Sequence, residues 1–355
     1  MSDRLYLRPL GFIYGLAARG AVEAGKAGTL AGGSIAFSLI EVIEGEPGNA
    51  KRRVLPAAEV AASKEPALAA ILERLTAPRP AVAGLSLDRP LLMGVVNVTP
   101  DSFSDGGLYD RTEEAIAHAA ALANEGADIV DIGGESTRPG ADPLPVDDEL
   151  GRVLPVLEGV RGIAARISID TRRSRVMTAA AAAGARFLND VSALTHDPDS
   201  LAAARESGLP VILMHAQGDP KTMQENPTYA DVLLEVFDFL EDRVRRCEQA
   251  GIPRHRLIAD PGIGFGKTVA HNLTLLAGLA LLHGLGLPLC LGTSRKRFIG
   301  SLTGEPEPRR RLYGSVAAAL AGVAQGAQIL RVHDVAPTRQ ALSVWLPAMS
   351  GQAPR

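Results

Sequence analysis

The chain has 355 residues, of which 46% are hydrophobic and 22% charged, and its formal net charge at pH 7 is −3. This composition supports a well-covered core and, without a long basic run, argues against a nucleic-acid-binding protein. The longest apolar stretch near the N-terminus, residues 10–18, is too short to span a bilayer. The two cysteines, Cys247 and Cys290, form no CxxC pair, so we expect no zinc cluster and a reducing, cytoplasmic location.

Two regions of the chain differ in pattern. Residues 1–85 show no regular rhythm; they indicate a strand over 35–42, a basic and turn-rich segment over 45–56, and a helix over 66–76. From residue 86 onward, short runs of Val, Ile and Leu alternate with longer Ala-rich helical patterns. We therefore predict a small α+β accessory domain over residues 1–85, whose role no motif indicates, followed by a larger domain over residues 86–355.

The larger region contains eight apolar runs, and each of them ends in polar residues. The runs cover residues 91–96, 129–130, 167–169, 187–188, 211–214, 257–259, 289–291 and 329–330. Helical patterns separate them, over residues 112–125, 146–165, 174–183, 200–207, 229–250, 270–283, 312–325 and 338–349. This alternation predicts an α/β fold of the (β/α)8 TIM-barrel type rather than an open doubly wound sheet, with all eight polar clusters at one mouth.

The first apolar run leads directly into a loop that is dense in amide, hydroxyl and carboxylate groups. Asn97 and Asp101 lie in this loop, Pro100 stops the strand, and Gly106 and Gly107 allow the loop to bend. In parallel α/β folds, ligands bind just beyond the carboxyl ends of the strands. The loop is therefore the first candidate for part of a binding site.

Several polar residues at the strand ends also have structural interpretations. Asp131, Asp170 or Asp190 could each cap the following helix, and His215 could be a satisfied core histidine. The segment 262–268 resembles a phosphate loop, but the first glycine of that motif would fall at Pro261, so the match fails. We interpret it as a flexible glycine turn and expect Lys267 to be solvated.

Charged and amide side chains at the remaining strand ends suit a ligand with an anionic group and several N–H donors. Arg138, Arg331 and His333 could bind an anionic oxygen cluster, although structural ion pairs with nearby acids are an alternative. Hydrogen-bond acceptors come from Asp170, Asn189 and Asp260, and Lys296 could donate to a carbonyl group of the same ligand. A dinucleotide is disfavoured, because no GxGxxG follows the first strand.

The motifs, taken together and in order, resemble those of the dihydropteroate synthase family. They cover residues 97–107, 131–140, 168–171, 189–191, 213–215, 260–267, 294–296 and 331–334. The resemblance implies a folate-pathway transferase on a (β/α)8 barrel, a homodimer that is a target of sulfonamides. Its reaction joins 6-hydroxymethyl-7,8-dihydropterin diphosphate to para-aminobenzoate and releases diphosphate and 7,8-dihydropteroate. The long N-terminal region and Arg297, which follows the Ser-Arg-Lys motif where relatives often carry Ser, depart from the family pattern.

The resemblance also implies roles for individual residues. The pterin would contact Asp131, Asp170, Asn189, Met214, Asp260 and Lys296. Diphosphate would contact Asn97, Thr137, Arg138, Arg331 and His333. A Mg2+ ion would be held by Asn97, with Asp101 as a further candidate ligand. The para-aminobenzoate pocket would include Phe103, Arg138, Pro139, Phe265 and Ser294, with its carboxylate near a helix expected to begin at Ser294. The expected catalytic set is Asn97, Asp101, Arg138, Lys296 and His333.

The implied mechanism is dissociative: the bond to diphosphate breaks first, and the loops 98–109 and 134–142 close to keep water from the pterin cation. Two alternatives stay open. A pterin-dependent methyltransferase shares the barrel and the pterin site but needs neither the 136–140 loop nor the Arg331 and His333 pair. A catalytically silent paralogue, acting as a binding or assembly partner, would have lost Asn97, Asp101, Arg138 or His333, all of which are present.

Overall fold

The computed structural model describes residues 4–98, 108–135, 144–218 and 222–353. Eight parallel strands form a nearly closed barrel, in the order of the chain. They are β5 (Leu91–Asn97), β6 (Ile129–Gly133), β7 (Arg166–Asp170), β8 (Phe187–Asp190), β9 (Val211–Met214), β10 (Leu257–Asp260), β11 (Cys290–Leu291) and β12 (Ile329–Val332). A single parallel bridge between Ala259 and Leu289 joins β10 to β11. The predicted TIM barrel is confirmed.

Helices follow the strands and cover the outside of the barrel. They are α4 (Leu108–Asn124), α5 (Val146–Gly159), α6 (Ser174–Ala183), α7 (Ser200–Ser207), α8 (Val232–Gln249), α9 (Val269–Ala277), α10 (Arg297–Thr303), α11 (Leu312–Val323) and α12 (Val335–Ser350). The predicted helix over 270–283 is divided, because α9 ends before Gly278 and a 3-10 helix, Leu279–Leu285, follows. Within the described part of the chain, no helix has the length and apolar character needed to cross a membrane.

The N-terminal region forms an antiparallel sheet with three helices. Its elements are β1 (Leu5–Ile13), α1 (Gly15–Glu23), β2 (Gly28–Thr29), β3 (Ala36–Glu44), β4 (Lys51–Pro56), α2 (Ala57–Ala61) and α3 (Pro66–Thr76). Strand β3 is central: β1 pairs with one edge, and β2 and β4 pair with the other. The boundary at residues 85/86 stays a prediction, since the sheet and the barrel share buried contacts, as the next paragraph describes.

The accessory sheet packs directly on the barrel. Tyr6 of β1 is 2% exposed and belongs to the main barrel core, whereas Ala280 of the 3-10 helix packs in the core of the sheet. Val82, which follows α3, joins the layer of inward-facing side chains that closes the amino-terminal end of the barrel. The strand residues of this floor are Leu91, Met93, Ile129, Phe187, Ile212, Ile258, Cys290 and Ile329. The floor makes the barrel a packed core with one open mouth.

Candidate functional site

The polar residues of the strand ends stand directly above the apolar floor. Side chains alternate in direction along a strand, so a residue two positions after a floor residue faces the same interior. Asn189 follows the floor residue Phe187 in this way, and Asp260 follows Ile258. The same spacing places a set of predicted site residues in one ring at the mouth: Asp131, Asn189, Met214, Asp260 and Arg331. The hydrogen bonds described next add Asp170 to it.

Arg331 holds the acidic side of this ring together. Its Nε donates to Oδ2 of Asp131 over 2.7 Å, and its Nη2 donates to Oδ2 of Asp170 over 2.8 Å. Asn189 donates from Nδ2 to the same Asp131 oxygen over 3.0 Å. Four side chains from β6, β7, β8 and β12 therefore form one network, in which Asp131 and Asn189 are buried and Asp170 and Arg331 are partly buried.

Burial and charge set the protonation of the network. Burial raises the pKa of Asp170 to about 7; the charges of Asp131 and Asp190 act in the same direction, and Arg331 opposes them. Burial acts to lower the pKa of Arg331, but Asp131 and Asp170 outweigh it and hold the guanidinium protonated. Among the described residues, Oδ1 of Asp131 is buried and accepts no hydrogen bond. An orphaned acceptor in such a position calls for a donor from a ligand.

On the opposite side of the ring, Lys296 lies between Asp260 and Phe265. Its Nζ donates to the carbonyl oxygen of Ile263 and lies 4.6 Å from the centre of the Phe265 ring. Burial lowers the pKa of Lys296 to about 8, and the charge of Asp260 opposes this shift. Burial raises the pKa of the Asp260 carboxyl, and Lys296 opposes that shift. Lys296 therefore keeps a cation beside an apolar ring within the mouth.

The segment after β11 differs from the prediction. No helix begins at Ser294; α10 begins at Arg297, because Thr293 to Lys296 form a turn in which Arg295 has φ +60°. Arg295 pairs with Asp334 over 2.6 Å. The Ser294 hydroxyl lies 3.0 Å from Nδ1 of His333 and accepts the backbone N–H of the same residue. The predicted helix start at Ser294 is therefore wrong, and the Ser294 hydroxyl supports His333; the carboxylate site near Ser294 stays a prediction.

Lys267 is not solvated, contrary to the prediction. It is 3% exposed, and its Nζ lies 2.9 Å from Nδ1 of His215 and 2.9 Å from the carbonyl oxygen of Gly262. The glycines predict a flexible turn, but the turn they form wraps around this side chain. Three glycines within five residues before a lysine were the available signal, since such a turn exposes its carbonyl groups to a donor.

Comparison with known proteins decides the family. The model of a family described as "Pterin binding enzyme" matches residues 93–333. Dihydropteroate synthase of Escherichia coli (strain K12) is 50% identical over 261 residues, which are 73% of this chain and 92% of that protein. The chain belongs to the dihydropteroate synthase family. A second relative, dihydropteroate synthase of Neisseria meningitidis serogroup B, is 52% identical over 266 residues, or 74% of this chain and 93% of the relative.

Solved dihydropteroate synthase structures match the same part of the chain. The Xanthomonas albilineans enzyme with 4-aminobenzoic acid has a TM-score of 0.72 at 52% identity, covering 76% of this chain and 97% of that one. The same enzyme with 7,8-dihydropteroate has a TM-score of 0.68 at 49% identity, covering 75% and 96%. A Yersinia pestis dihydropteroate synthase with a sulfonamide drug has a TM-score of 0.71 at 46% identity, covering 75% and 96%.

Not every residue that the resemblance to dihydropteroate synthase singled out can be placed. Asn97 lies at the end of β5 and is half-buried, and Phe265 and His333 are half-buried at the mouth. Five further predicted site residues lie outside the described residues: Asp101, Phe103, Thr137, Arg138 and Pro139. Most of the two predicted closing loops lies outside them as well.

A further buried cluster, which the sequence reasoning missed, lies beside one of these loops. Glu135 accepts from Arg172 over 2.9 Å and from Arg173 over 3.0 Å, and one of its oxygens accepts the backbone N–H of Leu144 over 3.1 Å. Arg173 also donates to the carbonyl oxygen of Leu144. Hydrogen bonds with the arginines and Leu144 outweigh burial and lower the pKa of Glu135. This cluster joins the two residues that flank segment 136–143.

Proposed function

We propose that this chain joins 6-hydroxymethyl-7,8-dihydropterin diphosphate to para-aminobenzoate and releases diphosphate and 7,8-dihydropteroate. Membership of the dihydropteroate synthase family supports this reaction. The single observation that carries the assignment of the site is the buried, unpartnered Oδ1 of Asp131 within a ring of acceptors. A pterin presents several N–H donors along one edge and would satisfy these acceptors.

The pterin would occupy the ring above the barrel floor. Asp170 and Asn189 would accept from its ring N–H groups, and Asp260 would face its 2-amino pyrimidinone edge, which offers adjacent donors. Lys296 would donate to its carbonyl oxygen. Met214, which is 5% exposed between these strands, would line the floor beneath the ring system. Hydrogen bonds from the ligand would then replace the ones that the buried carboxylates would otherwise make with water.

The diphosphate would bind on the β12 side of the mouth, with Asn97 beside it at the tip of the neighbouring strand β5. Arg331 uses its Nε and one Nη2 bond on Asp131 and Asp170, so that other N–H groups of the guanidinium remain for phosphate oxygens. His333, supported by Ser294, would add a donor. Thr137 and Arg138 are candidates to assist, on the basis of the resemblance alone.

A Mg2+ ion is proposed beside Asn97. The Asn97 amide oxygen is a hard ligand at a partly exposed strand end, which suits an ion that uses few protein ligands and takes the rest from phosphate and water. Among the described residues, no group of three or more His, Cys, Asp or Glu forms a metal site of its own. When bound, the metal would neutralise the charge of the leaving diphosphate.

The residues of this chain support a dissociative reaction. Arg331 and His333 would stabilise the negative charge that grows on diphosphate as the bond to the pterin methylene breaks. The aniline nitrogen of para-aminobenzoate then attacks the pterin cation. Because this amine is neutral near pH 7, no strong general base is needed. The Phe265 ring, beside Lys296, would form one wall of the para-aminobenzoate pocket; Phe103, Arg138, Pro139 and Ser294 are the other candidates.

The resemblance to the family also motivates proposals on assembly and location. We propose a homodimer: Leu302 of α10 and Tyr313 of α11 are 56% and 85% exposed and offer an apolar surface. Light scattering would measure the mass of the particle.

Cys247 and Cys290 are buried and unpaired, in keeping with a reducing, cytoplasmic location. A sulfonamide is bound by a relative and is expected to compete with para-aminobenzoate here.

The reaction itself is the direct test of function. The purified chain is incubated with the dihydropterin diphosphate, para-aminobenzoate and magnesium, and the products are identified by mass spectrometry. We expect 7,8-dihydropteroate and diphosphate in equal amounts, and no product after chelation of the metal. Pterin binding by calorimetry without any product would contradict the proposal and favour the silent paralogue.

A further inference from the structure

Side chains hold the glycine turn between β10 and α9, residues 262–268, at three points. Gly262 donates its N–H to Oδ1 of Asp260 over 2.7 Å, and Gly264 donates its N–H to Oδ1 of Asn272 over 2.7 Å. The Tyr229 hydroxyl donates to the carbonyl oxygen of Gly266 over 2.9 Å. The turn is therefore a fixed part of the barrel mouth, although its sequence is that of a flexible loop.

Lys267 lies inside this turn and contacts it from within. Its Nζ donates to the carbonyl oxygens of Gly262 over 2.9 Å and of Phe265 over 3.0 Å. The third short contact, 2.9 Å, joins Nζ to Nδ1 of His215 at the end of the neighbouring strand β9. These three contacts match the three N–H donors of an ammonium group, and a longer contact of 3.4 Å joins Nζ to the carbonyl oxygen of His215.

The cage also determines the state of the histidine. Nδ1 of His215 can accept from Lys267 only if it carries no proton, so the proton of the neutral ring is on Nε2. Burial, with the positive charge of Lys267, holds the pKa of His215 well below its ordinary value, which agrees with a neutral ring. Burial lowers the pKa of Lys267 to about 7, and the charge of Lys296 acts in the same direction. The carbonyl and imidazole acceptors favour its charged form and so act against this shift.

Glycines let the turn close on this cage. Gly262, Gly264 and Gly266 have φ values of +64°, +86° and +60°, a region that other residues rarely adopt. A Cβ at Gly262 would stand 1.8 Å from the carbonyl oxygen of His215. The turn thus packs on the backbone after β9, too closely for any side chain at that position.

Two groups of this turn contact Lys296. The Ile263 carbonyl oxygen accepts from Nζ of Lys296, and the Phe265 ring lies 4.6 Å from the same atom. Both residues belong to the segment 262–265, and Lys267 donates a hydrogen bond to the carbonyl oxygen at each end of this segment. Lys267 therefore fixes the backbone segment that contacts Lys296 at the mouth.

We propose that Lys267 is a positioning residue of the synthase site: its ammonium, caged by Gly262, Phe265 and His215, fixes the turn that holds Phe265 towards para-aminobenzoate and Lys296 towards the pterin carbonyl. This inference rests on the proposed function for the roles of Lys296 and Phe265. The cage itself, formed by two carbonyl oxygens and one imidazole nitrogen, does not depend on that function.

Lys267→Met tests the role, since it keeps an unbranched side chain only one atom shorter and removes the charge and all three donors. We expect the KM for para-aminobenzoate to rise about tenfold, because a wall of its pocket is released, a loss equal to about 1.4 kcal/mol of binding. The dissociation constant of a pterin analogue should change less, by about threefold or under, because Lys296 is only one of its proposed contacts and Asp131, Asp170 and Asn189 lie on other strands. Lys51→Met, at an exposed position on β4, is the control and should match the wild type.

A pair of histidine variants covers the case in which Lys267→Met does not fold. His215→Asn keeps an acceptor near the position of Nδ1, whereas His215→Leu removes it. We expect the first to retain most of the para-aminobenzoate affinity and the second to lose it. Equal KM values in the two variants, or a wild-type KM in a folded Lys267→Met enzyme, would overturn the proposal.

A measurement without substrate separates this proposal from the proposed function. Nitrogen-15 NMR of labelled histidine should show His215 with a bare Nδ1 and a protonated Nε2 at pH 7, and the Nδ1 resonance should shift in Lys267→Met. A proton on Nδ1 would overturn the cage. Should the wild type make no dihydropteroate, the proposed function fails, and this resonance still decides the contact between Lys267 and His215.

Discussion

Arg331 and Asp131 form an ion pair between β12 and β6, with Nε of the arginine 2.7 Å from Oδ2 of the aspartate. The Asp131 side chain is fully buried, and the same guanidinium reaches Asp170 over 2.8 Å. A structural pair of this kind was the alternative to a diphosphate contact. The proposed diphosphate contact can coexist with it, because a guanidinium has five N–H donors. Arg331 would then link the pterin end of the site to the diphosphate end.

Replacing Arg331 by Met is expected to destabilise the fold as well as to abolish activity. The substitution leaves Asp131 and Asp170 buried without their cation, and breaking a buried pair in this way costs about 3 kcal/mol or more. Urea unfolding at pH 8 measures the change. Arg89→Met is the matched control: Arg89 pairs with Asp128 but its side chain is 63% exposed, so it should lose less than about 1 kcal/mol. Equal losses in the two variants would contradict the buried network.

The raised pKa of Asp170 predicts a pH dependence of stability. The folded carboxyl binds its proton up to about pH 7, whereas the unfolded one releases it near its ordinary value of 3.8. Between these values the folded state binds the extra proton, so the contribution of this group to the free energy of unfolding decreases as the pH rises. Relative to Asp170→Asn, the wild type should lose about 1 kcal/mol of stability per pH unit from pH 5 to pH 7. Chemical unfolding at several pH values measures this slope; a difference that stays constant would refute the shift.

Tyr6 tests whether the accessory sheet and the barrel unfold together. Its ring meets Phe237 edge-on at 5.4 Å, and its hydroxyl contacts both oxygens of Asp238 at 3.0 Å. Tyr6→Ala should cost about 3 kcal/mol and lower the temperature of a single unfolding transition. Val54→Ala, on the exposed face of β4 at 53% exposure, should change stability by less than about 0.5 kcal/mol. Two separate transitions in calorimetry would show instead that the sheet is an independent unit.

The barrel was predictable from the sequence because each of its strands is an apolar run that ends in polar residues. The accessory sheet was not. Strand β1 contains Pro9 and Gly11, which ordinarily argue against a strand, and it tolerates Pro9 because it is an edge strand. Strand β4 is basic and largely exposed, so the segment 45–56 reads as turns; only its first half lacks strand structure. Hydrophobic periodicity does not detect strands of this kind.

The candidate site, too, was predictable from the sequence only in part. Asp131, Asn189, Asp260 and Arg331 were identified because strand ends converge at one mouth whatever the details of packing. The glycines before Lys267 indicate a turn with exposed carbonyl groups, but the burial of Lys267 also depends on the tertiary contact with His215, which follows a different strand and which local sequence does not indicate. The start of α10 at Arg297 depends on the left-handed conformation of Arg295. Such a conformation cannot be predicted from the sequence when the residue is not glycine.

Calorimetric titration with 6-hydroxymethylpterin tests whether the ring of strand-end acceptors is a pterin site. At pH 8, where Asp170 is largely ionised, the wild type should bind with a measurable enthalpy. Asp170→Ala should weaken binding by at least about a hundredfold, because a ligand donor then faces no acceptor in a buried position. Asp147→Ala removes a carboxylate that is 80% exposed and should bind as the wild type does. Unchanged affinity in Asp170→Ala would show that this ring does not bind the pterin.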